Sequence, residues 1–339
     1  MKILIIGGTG LISTPITRML AEQGDAEVTV YNRGKREPSL PLGVRQVLGD
    51  RTDFAAFETQ MQATEKYDCV IDMVCYRPEE AESVVRAFRG RVGQYLFCST
   101  VDVYAKPQGS LPLHDEELHN PALWDYAQNK AKCEAILQVA YQQGDFPLTI
   151  LRPAHTYHDG GTLVHTLGGR TTYLDRLRRG KPIIVHGDGS SLWVSCHAED
   201  VARAFVKAIG NPQTLGKSYH LPGEEWLPWN RYHQIVAEAI GGPPPKFIHI
   251  PTDLLARIAP KRANISLVNF QYHNIFDTTA ARCDLDFRYT IPFAEGAKRV
   301  ATYLTTHNRI ENSDEDPLED RILSAWEELC DTMAQKVVE

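Results

Sequence analysis

The chain has 339 residues, of which 43% are hydrophobic and 23% are charged, a composition that is ordinary for a globular protein in water. Its 36 Lys and Arg residues and 43 Asp and Glu residues give a formal charge of −7. A mildly acidic chain is a poor general nucleic-acid binder, because neutralising phosphates requires a basic surface. The length suggests about two domains.

The seven cysteines contain no C-x-x-C pair, so the sequence indicates neither a disulfide framework nor a zinc site. Reduced cysteines fit a cytoplasmic protein. Residues 1–6 are strand-like and too short for a signal peptide, and no other apolar run is long enough to cross a bilayer. We therefore expect a cytoplasmic protein with no membrane partner and no metal ion.

Over the first 150 residues, short apolar runs alternate with amphipathic stretches. The runs that we predict as buried strands are residues 3–6, 28–31, 44–48, 69–74, 95–98 and 148–151. Helices are predicted between them at residues 11–23, 54–63, 79–88 and 123–142. Alternation of this kind predicts an α/β fold with a doubly wound parallel sheet.

The second half of the chain is less regular. Helices are predicted at residues 200–209 and 230–240, and a Gly-Gly-Pro-Pro-Pro run follows at 241–245. Near the end, apolar residues recur at helical spacing, namely Leu318, Ile322, Trp326, Leu329 and Met333. This stripe predicts an amphipathic helix within residues 311–339, which could bind a partner but which we expect to pack on its own domain.

A glycine-rich segment, Gly7-Gly8-Thr9-Gly10, joins the first predicted strand to the first predicted helix. Glycines let the backbone turn tightly and approach a pyrophosphate, and the helix N-terminus supplies N–H groups and a positive dipole end. The third glycine of the usual pattern is Ser13, whose small side chain should still permit close packing of the helix on the strand. The segment predicts a dinucleotide site, with a tight turn that binds no ligand as the alternative.

The residues after the second and third strands bear on which dinucleotide is bound. An acid at the end of the second strand would bind the ribose 2′-hydroxyl of NAD, but Asn32 occupies that place. A neutral residue followed by the cations Arg33, Lys35 and Arg36 favours the 2′-phosphate of NADP. If these cations instead form a solvated loop, the cofactor is NAD. Asp50, after the third strand, is placed to accept a hydrogen bond from the adenine amino group.

A Tyr-x-x-x-Lys pair, Tyr126 and Lys130, lies in a predicted helix beyond the Ser99-Thr100 end of the fifth strand. Residues four apart share a helix face, so Lys130 can sit beside a ribose and under Tyr126. A nearby ammonium and a positive nicotinamide would both lower the pKa of the phenol. Tyr126 would then take a hydroxyl proton as hydride leaves for the nicotinamide, with Thr100 bonded to the same oxygen. A chance match is the alternative, and the position of the pair argues against it.

These motifs stand in the order and spacing found in the extended short-chain dehydrogenase/reductase family, which includes NAD-dependent epimerases and dehydratases. Over residues 1–210 the chain resembles this family in Gly7-Gly8-Thr9-Gly10, Asp50, Ser99-Thr100 with Val103-Tyr104, Tyr126 and Lys130, Leu151-Arg152-Pro153 with Tyr157, and Gly187-Asp188-Gly189 with Asp200-Val201-Ala202. The resemblance implies a Rossmann domain and a smaller C-terminal substrate-binding domain. We place the dinucleotide-binding domain at residues 1–155, with 192–220 returning to it, and a mainly substrate-binding region at 156–310.

The resemblance also implies a set of site residues. The catalytic residues would be Thr100, Tyr126 and Lys130, with Asp102 as an accessory group. The residues assigned to the cofactor are Gly7, Gly8, Thr9, Gly10, Leu11, Ile12, Asn32, Arg33, Asp50, Arg51, Met73, Val74, Cys98, Ser99, Tyr126, Lys130, Pro153 and His155. Those assigned to a small-molecule substrate are Cys75, Thr100, Asp102, His155, Arg176 and Trp193.

Departures from the family pattern bear on the substrate. Where typical members have an Asn and an Arg that contact a nucleotide diphosphate, this chain has His155 and Trp193. A desolvated diphosphate needs cationic or N–H partners, so these departures weaken the case for a nucleotide sugar. The basic residues between 170 and 181, including Arg176, could substitute or could lie on a solvated helix face. Val101 replaces an acid of the dehydratases, which disfavours elimination of water, whereas Asp102 keeps a carboxylate.

We expect an NAD(P)-dependent enzyme that acts at a secondary alcohol or ketone. The leading hypothesis is an epimerase that transiently oxidises a secondary alcohol on a sugar or nucleotide-sugar-like substrate. The alternative is an NADP-dependent reductase or dehydrogenase of a smaller carbonyl compound, which Asn32-Arg33 and the lost diphosphate contacts favour. A third hypothesis is a non-catalytic dinucleotide- or RNA-binding member, against which stand Tyr126, Lys130 and the charge of −7. By analogy with the family we also expect a homodimer.

Overall fold

The computed structural model describes residues 1–34, 40–107, 109–115 and 124–337; Lys35 and Arg36, which the sequence places near a 2′-phosphate, lie outside these ranges. The strands are, in chain order, β1 (Lys2–Ile6), β2 (Glu27–Asn32), β3 (Arg45–Leu48), β4 (Cys69–Asp72), β5 (Tyr95–Cys98), β6 (Leu148–Pro153), β7 (His155–Tyr157), β8 (Ile183–His186), β9 (Leu192–Trp193), β10 (Ser195–His197), β11 (Ser218–Leu221), β12 (Leu227–Pro228) and β13 (Phe247–Ile250). The helices are α1 (Ser13–Gln23), α2 (Phe54–Gln62), α3 (Pro78–Phe88), α4 (Asp125–Gln142), α5 (Thr172–Arg178), α6 (Ala198–Ala208), α7 (Trp229–Ile240), α8 (Thr252–Ile258), α9 (Pro260–Ile265), α10 (Thr279–Leu285), α11 (Phe293–Thr306) and α12 (Leu318–Lys336).

The central sheet has seven parallel strands in the order β11-β6-β5-β4-β1-β2-β3. The chain starts at β1, proceeds to one edge through β2 and β3, and then builds the other half from β4 outwards. The predicted doubly wound parallel sheet is therefore confirmed. In such sheets the ligand binds at the carboxyl ends of the strands where the order reverses, which here is between β1 and β4.

The inner strands of the sheet are mostly apolar because helices cover both of its faces. On one face, Ile3 and Ile5 of β1 pack in a buried cluster with Ile16 of α1 and Val201 of α6. On the other face, Leu4 and Ile6 pack with α2, α3 and α4, through side chains that include Phe57, Val84 and Leu137. The alternation of β1 side chains between two buried clusters explains why this strand contains no polar position after Lys2.

The chain divides into two compact units. Unit 1 contains Met1–Tyr157, Val194–Glu224 and Ile275–Ile291, and it holds the whole central sheet. Unit 2 contains His158–Trp193, Glu225–Asn274 and Pro292–Glu339. Within unit 1, Asp200 holds the end of the segment Ile275–Ile291. Its carboxylate accepts hydrogen bonds from the backbone nitrogens of Thr290 and Ile291 at 3.0 and 3.1 Å.

An aromatic cluster forms part of the interior of unit 2. Trp193 is only 5% exposed, and its ring centroid lies 5.1 Å from that of Trp229 and 4.8 Å from that of Phe270. The indole nitrogen of Trp229 donates to the Phe270 carbonyl at 3.1 Å. The side chain of Trp193 is enclosed by other rings of unit 2, so its assignment to the substrate gains no support from this packing.

Arg176 is also an interior residue of unit 2. It is 1% exposed, and its Nε and Nη2 atoms donate to the Pro182 carbonyl oxygen at 3.1 and 2.8 Å. Its Nη1 atom lies 2.7 Å from Asp320, and its Nε atom lies 3.4 Å from Glu319, both in the first turn of α12. Its partners are therefore the C-terminal helix and the α5–β8 turn, and its assignment to the substrate gains no support from them.

The predicted C-terminal helix is present as α12, but only its first turns pack on unit 2. Leu318, Ile322 and Trp326 join a cluster around Leu255, whereas Leu329 and Met333 are 44% and 56% exposed. Among the helices of the described residues, none is long and apolar enough to cross a membrane.

Candidate active site

The loop between β1 and α1 lies at the carboxyl edge of the sheet, where the strand order reverses. Gly7 has a φ of +85°, and a Cβ atom there would lie 2.5 Å from Val74. A Cβ atom at Gly8 would lie 2.7 Å from two carbons of Val30. Both positions therefore require glycine. Helix α1 begins at Ser13, and its cap residue Ile12 has no side-chain acceptor, so the backbone N–H groups of the first turn are suited to a phosphate.

Ser13 holds this loop in shape. Its hydroxyl donates to the Gly7 carbonyl at 2.6 Å and accepts from the Gly10 nitrogen at 2.7 Å. The hydroxyl of Thr17 donates to the Gly8 carbonyl at 3.1 Å. The serine that replaces the usual third glycine thus does more than permit close packing, because it bonds to both ends of the loop.

Two clefts, of about 410 and 250 Å³, adjoin the loop within unit 1 and share the lining residues Gly7, Gly10, Val74 and Tyr76. The larger cleft runs past β2 and β3 and contains these expected cofactor residues: Gly7, Thr9, Gly10, Asn32, Arg33, Asp50, Arg51 and Val74. The smaller cleft contains Gly7, Gly10, Leu11, Ile12, Met73, Val74, Cys98, Ser99, Thr100, Tyr126, Lys130 and Pro153. A glycine loop between two clefts fits a dinucleotide, whose two halves meet at a pyrophosphate.

In the larger cleft, Asn32 is bonded to its own strand end. Its Oδ1 atom accepts from the backbone nitrogen of Gly34 at 3.0 Å and from the side chain of Gln46 at 2.9 Å. The carboxylate of Asp50 accepts from the backbone and hydroxyl of Thr52 at 2.9 and 2.7 Å. Because the Oδ1 atom of Asn32 already accepts two hydrogen bonds, the amide nitrogen of Asn32 is the group best suited to bond an oxygen of the ligand.

Arg51 lines the larger cleft, but its guanidinium forms an ion pair with a buried carboxylate of the protein. The guanidinium is 6% exposed and its Nη1 atom lies 2.8 and 2.7 Å from the two carboxylate oxygens of the fully buried Asp72. Asp72 also accepts from the hydroxyl of Tyr95 at 2.6 Å, and Arg51 donates to the Glu80 carbonyl at 3.1 Å. Arg51 therefore braces the floor of this cleft, and its expected direct role toward the cofactor gains no support from its bonding.

In the smaller cleft, Lys130 is buried and Tyr126 is 41% exposed. The Nζ atom of Lys130 donates to the Cys98 carbonyl at 2.6 Å and lies 4.8 Å from the ring centroid of Tyr76 and 4.8 Å from that of Phe97. The Tyr126 and Tyr76 rings lie 6.3 Å apart. Helix α4 thus presents both members of the pair to the ends of β4 and β5, as their spacing predicts.

The surroundings of the Tyr126 hydroxyl raise its pKa, which differs from the lowering that the sequence suggests. Burial of the hydroxyl end is the largest cause, although the outer ring stays exposed, and the charge of Asp102 acts in the same direction. A hydrogen bond with Thr100 opposes them. The phenol is therefore held protonated by the protein's own groups, and lowering its pKa would require a cation brought by the ligand.

The structure separates several expected residues from the two clefts. Cys75 is fully buried, and its sulfur lies 3.9 Å from that of Cys133, so its expected contact with the substrate gains no support. His155 lies 2.9 Å through its Nδ1 atom from the Ser195 hydroxyl, and burial lowers its pKa to about 4. Its neighbours Ala154 and Thr156 line the smaller cleft instead.

Tyr76 is one of the cleft residues that the sequence did not predict. It lines both clefts and its ring faces the ammonium of Lys130. The available signal was its place just after β4, because residues at strand ends beside the switch point meet the ligand. Gly8, by contrast, was expected to bind the cofactor, but it shapes the loop and lines neither cleft.

The sequence model of the NAD dependent epimerase/dehydratase family matches residues 3–221, a range that includes every lining residue of both clefts. The chain belongs to this family. The resemblance seen in the motifs is confirmed, and since the family is one of epimerases, dehydratases and reductases, the protein is an enzyme.

Two relatives illustrate the range of the family. The chain is 30% identical over 243 residues to the 2'-dehydrokanamycin reductase of Streptomyces kanamyceticus, a match that covers 72% of this chain and 68% of that protein. It is 28% identical over 261 residues to the chloroplast stem-loop binding protein of 41 kDa b of Arabidopsis thaliana, covering 73% of this chain and 65% of the relative. The second match therefore spans slightly less than two thirds of the relative's length.

Solved structures show the same fold. UDP-glucuronic acid 4-epimerase from Bacillus cereus in complex with NAD has a TM-score of 0.69 at 16% identity, covering 90% of this chain and 99% of that one. Pal from Bacillus thuringiensis has a TM-score of 0.73 at 17% identity, covering 91% and 100%.

Proposed function

We propose that the protein is a nicotinamide-dinucleotide-dependent oxidoreductase that interconverts a ketone and a secondary alcohol on a sugar-like ring. The observation that carries the proposal is that Tyr126, Lys130 and Thr100 line one cleft directly beside the glycine loop. A dinucleotide with its pyrophosphate on the loop would have its nicotinamide in that cleft. When bound, it supplies the hydride to a carbonyl carbon or accepts it from a carbinol carbon.

The residues of the cleft handle the proton. In the reduction direction Tyr126 gives its phenolic proton to the carbonyl oxygen as the carbon receives hydride, so the ketone becomes an alcohol and the dinucleotide is oxidised. Thr100 is hydrogen-bonded to the phenol and orients it. Lys130, fixed by the Cys98 carbonyl, is the cation for the ribose.

The substrate that we propose carries no nucleotide diphosphate. The positions that would contact a diphosphate are His155 and Trp193, and Trp193 is enclosed in an aromatic cluster. The basic residue Arg176 is committed to Asp320 and the Pro182 carbonyl. Similarity to a reductase at 30% identity supports the same direction of chemistry.

For the cofactor we propose NADP. The oxygen of Asn32 is engaged by Gly34 and Gln46, so this side chain would offer an N–H donor to the 2′ position, where NAD-binding relatives of this fold use a carboxylate acceptor. Arg33 lines the same cleft and would place a cation beside a 2′-phosphate.

The test is mass spectrometry of the purified, undialysed protein after denaturation, followed by calorimetric titration with NADPH and NADH. Protein that arrives without dinucleotide, binds NADPH reversibly and reduces members of a panel of keto-sugars supports the proposal. The Tyr126→Phe variant should then bind NADPH as before and lose reduction by 10²-fold or more, about the usual contribution of a positioned acid. Unchanged turnover in that variant would remove Tyr126 from the chemistry.

The second candidate is the epimerase that transiently oxidises a secondary alcohol on a sugar or nucleotide-sugar-like substrate, which the same Tyr126 and Lys130 would serve. Solved structures of this fold include 4-epimerases. An epimerase keeps its cofactor through the cycle, so about one tightly retained dinucleotide per chain in the mass spectrum would favour it. The homodimer expected from the family stays a prediction, to be tested by light scattering of the purified protein.

Stem-loop binding is the function named for the Arabidopsis relative, and it has less support here. The formal charge of −7 opposes binding to phosphates, and Thr100, Tyr126 and Lys130 are all present. A Tyr126→Phe variant with full biological activity would revive a non-catalytic function.

A further inference from the structure

The ammonium of Lys130 is buried next to two aromatic rings. Lys130 is 1% exposed, and its Nζ atom donates to the Cys98 carbonyl at 2.6 Å. The same atom lies 4.8 Å from each of two ring centroids, those of Tyr76 and Phe97. No carboxylate of the described residues forms an ion pair with it. A buried ammonium needs compensation, and the electron-rich faces of the two rings supply part of it here.

The two rings differ in what else they can contact. Phe97 belongs to β5, is fully buried and lines neither cleft. Tyr76 follows β4, is 45% exposed and lines both clefts. Of these two rings, only that of Tyr76 can therefore touch both the ammonium and a ligand in the clefts.

The backbone that carries Tyr76 is held in place on both sides. The Oε2 atom of Glu80, a buried residue, accepts from the backbone nitrogens of Tyr76 at 2.5 Å and Arg77 at 2.9 Å. On the other side, the backbone nitrogen of Val74 donates to the buried carboxylate of Asp72 at 3.0 Å. Hydrogen bonds from backbone N–H groups to carboxylates are among the stronger ones, so the ring is presented to Lys130 from a fixed backbone.

The hydroxyl of Tyr76 is neutral at ordinary pH. Burial raises the pKa of Tyr76 to about 12. The group that faces the ammonium is therefore a neutral ring with an electron-rich face, and not a phenolate. A phenylalanine at this position would offer the same face without the hydroxyl.

We propose that Tyr76 is a positioning residue of the dinucleotide site, whose ring face fixes the ammonium of Lys130 for its contact with the cofactor's ribose. The inference rests on the proposed function for that contact between Lys130 and the ribose. An ammonium that is already fixed loses little freedom when the ligand arrives, so the ring strengthens cofactor binding.

The experiment varies the electron density of the ring while nearly keeping its shape. In the full chain, Tyr76 is replaced by phenylalanine and then by phenylalanines with one, two and three ring fluorine atoms, which withdraw electrons from the ring face. Calorimetric titration measures the NADPH dissociation constant. Tyr76→Phe should stay within about twofold of the wild type, because it keeps the face. The dissociation constant should then rise with each fluorine, by about tenfold over the series.

Urea denaturation of the same proteins without cofactor tests the contact between ring and ammonium. The free energy of unfolding should fall along the fluorine series, and it should stay level along the series in a Lys130→Met background, which has no ammonium. The same fluorines at Tyr272, a half-buried residue of unit 2, control for the chemistry of fluorine and should cause no stepwise change in either measurement. If Lys130→Met does not fold, the Tyr272 series is the comparison.

Three outcomes would count against these ideas, and they are distinguishable. A level dissociation constant across the Tyr76 series overturns the inference, whatever happens to stability. A fall in stability that persists in Lys130→Met overturns it as well, since the fluorines then act on something other than the ammonium. A wild type that binds neither NADPH nor NADH overturns the proposed function and the inference together. If the wild type binds only NADH, the titrations use NADH, because both cofactors have the ribose concerned.

Discussion

The Nζ atom of Lys130 lies 2.6 Å from the backbone carbonyl oxygen of Cys98, which fastens helix α4 to the end of β5. Lys130→Met would remove both this bond and the cation proposed for the ribose. We expect the free energy of unfolding to fall by about 1–3 kcal/mol, because a buried carbonyl loses its donor. NADPH affinity should fall at least about tenfold. Thermal denaturation and calorimetric titration measure the two effects.

Lys132→Met is the matched control, because Lys132 is an exposed residue of the same helix. It should change neither quantity appreciably. If Lys130→Met bound NADPH as tightly as the wild type, Lys130 would be a structural residue alone.

Asn32→Asp should shift the cofactor preference from NADPH toward NADH. An aspartate keeps the oxygen that accepts from Gly34 and Gln46, so the strand end should retain its shape. The added negative charge repels a 2′-phosphate and accepts a bond from a 2′-hydroxyl. We expect the ratio of the two dissociation constants to change by about tenfold or more, which corresponds to about 1.4 kcal/mol. A wild-type protein that already prefers NADH would contradict the proposal of NADP.

Arg51→Met should destabilise unit 1 strongly. The substitution leaves the carboxylate of Asp72, which is fully buried, without its guanidinium partner. Removing one member of such a pair costs about 3–5 kcal/mol. By comparison, Arg86→Met breaks a pair with Glu58 in which the arginine side chain is 51% exposed, and should cost less than about 1 kcal/mol. Urea denaturation of both variants measures the difference, and equal losses would show that burial of the Arg51 pair is energetically unimportant.

The stability of unit 2 should fall as the pH is lowered. Burial lowers the pKa of His186 to about 4 and that of His165 to about 3, from an ordinary value of 6.5. Below pH 6.5 these histidines bind protons in the unfolded chain but stay neutral in the folded protein. The free energy of unfolding therefore declines as the pH falls from about 6.5 to about 4. Each unit of pKa difference contributes about 1.4 kcal/mol per histidine. Denaturant midpoints across this pH range measure the slope.

His186→Gln should reduce this slope by the contribution of one proton. Thr166→Val is the comparison, because it removes the hydroxyl that lies 3.2 Å from the His186 Nδ1 atom and keeps the titrating ring. It should lower stability while the slope persists. Identical slopes in His186→Gln and the wild type would mean that His186 does not link folding to pH.

The sheet and the cofactor loop were predictable from the sequence because their signals are local. Apolar runs bounded by helix patterns define strands, and Gly7-Gly8-Thr9-Gly10 stands between the first strand and the first helix. The Tyr126 and Lys130 pair was predictable for the same reason, since their separation fixes a shared face of α4.

The assignments that gain no support from the structure concern residues whose surroundings come from distant parts of the chain. Trp193 packs on Trp229 and Phe270, which are distant from it in the sequence, so no local pattern predicts this cluster. The pKa of Tyr126 likewise depends first on burial by its surroundings and then on the charge of Asp102, a carboxylate on a separate element. Cys75 and His155 do not line either cleft, whereas their neighbours Val74 and Thr156 do.

The pairing of Arg176 with the first turn of α12 has a consequence for the way the chain is made. A ribosome releases the protein from its N-terminus, so α5 leaves the exit tunnel long before Glu319 and Asp320 are synthesised. Until then, enclosing the Arg176 guanidinium would carry the cost of a buried charge without those two carboxylates. Unit 2 therefore cannot complete its packing before α12 has been synthesised, and until then its unfinished interior stays exposed on the growing chain.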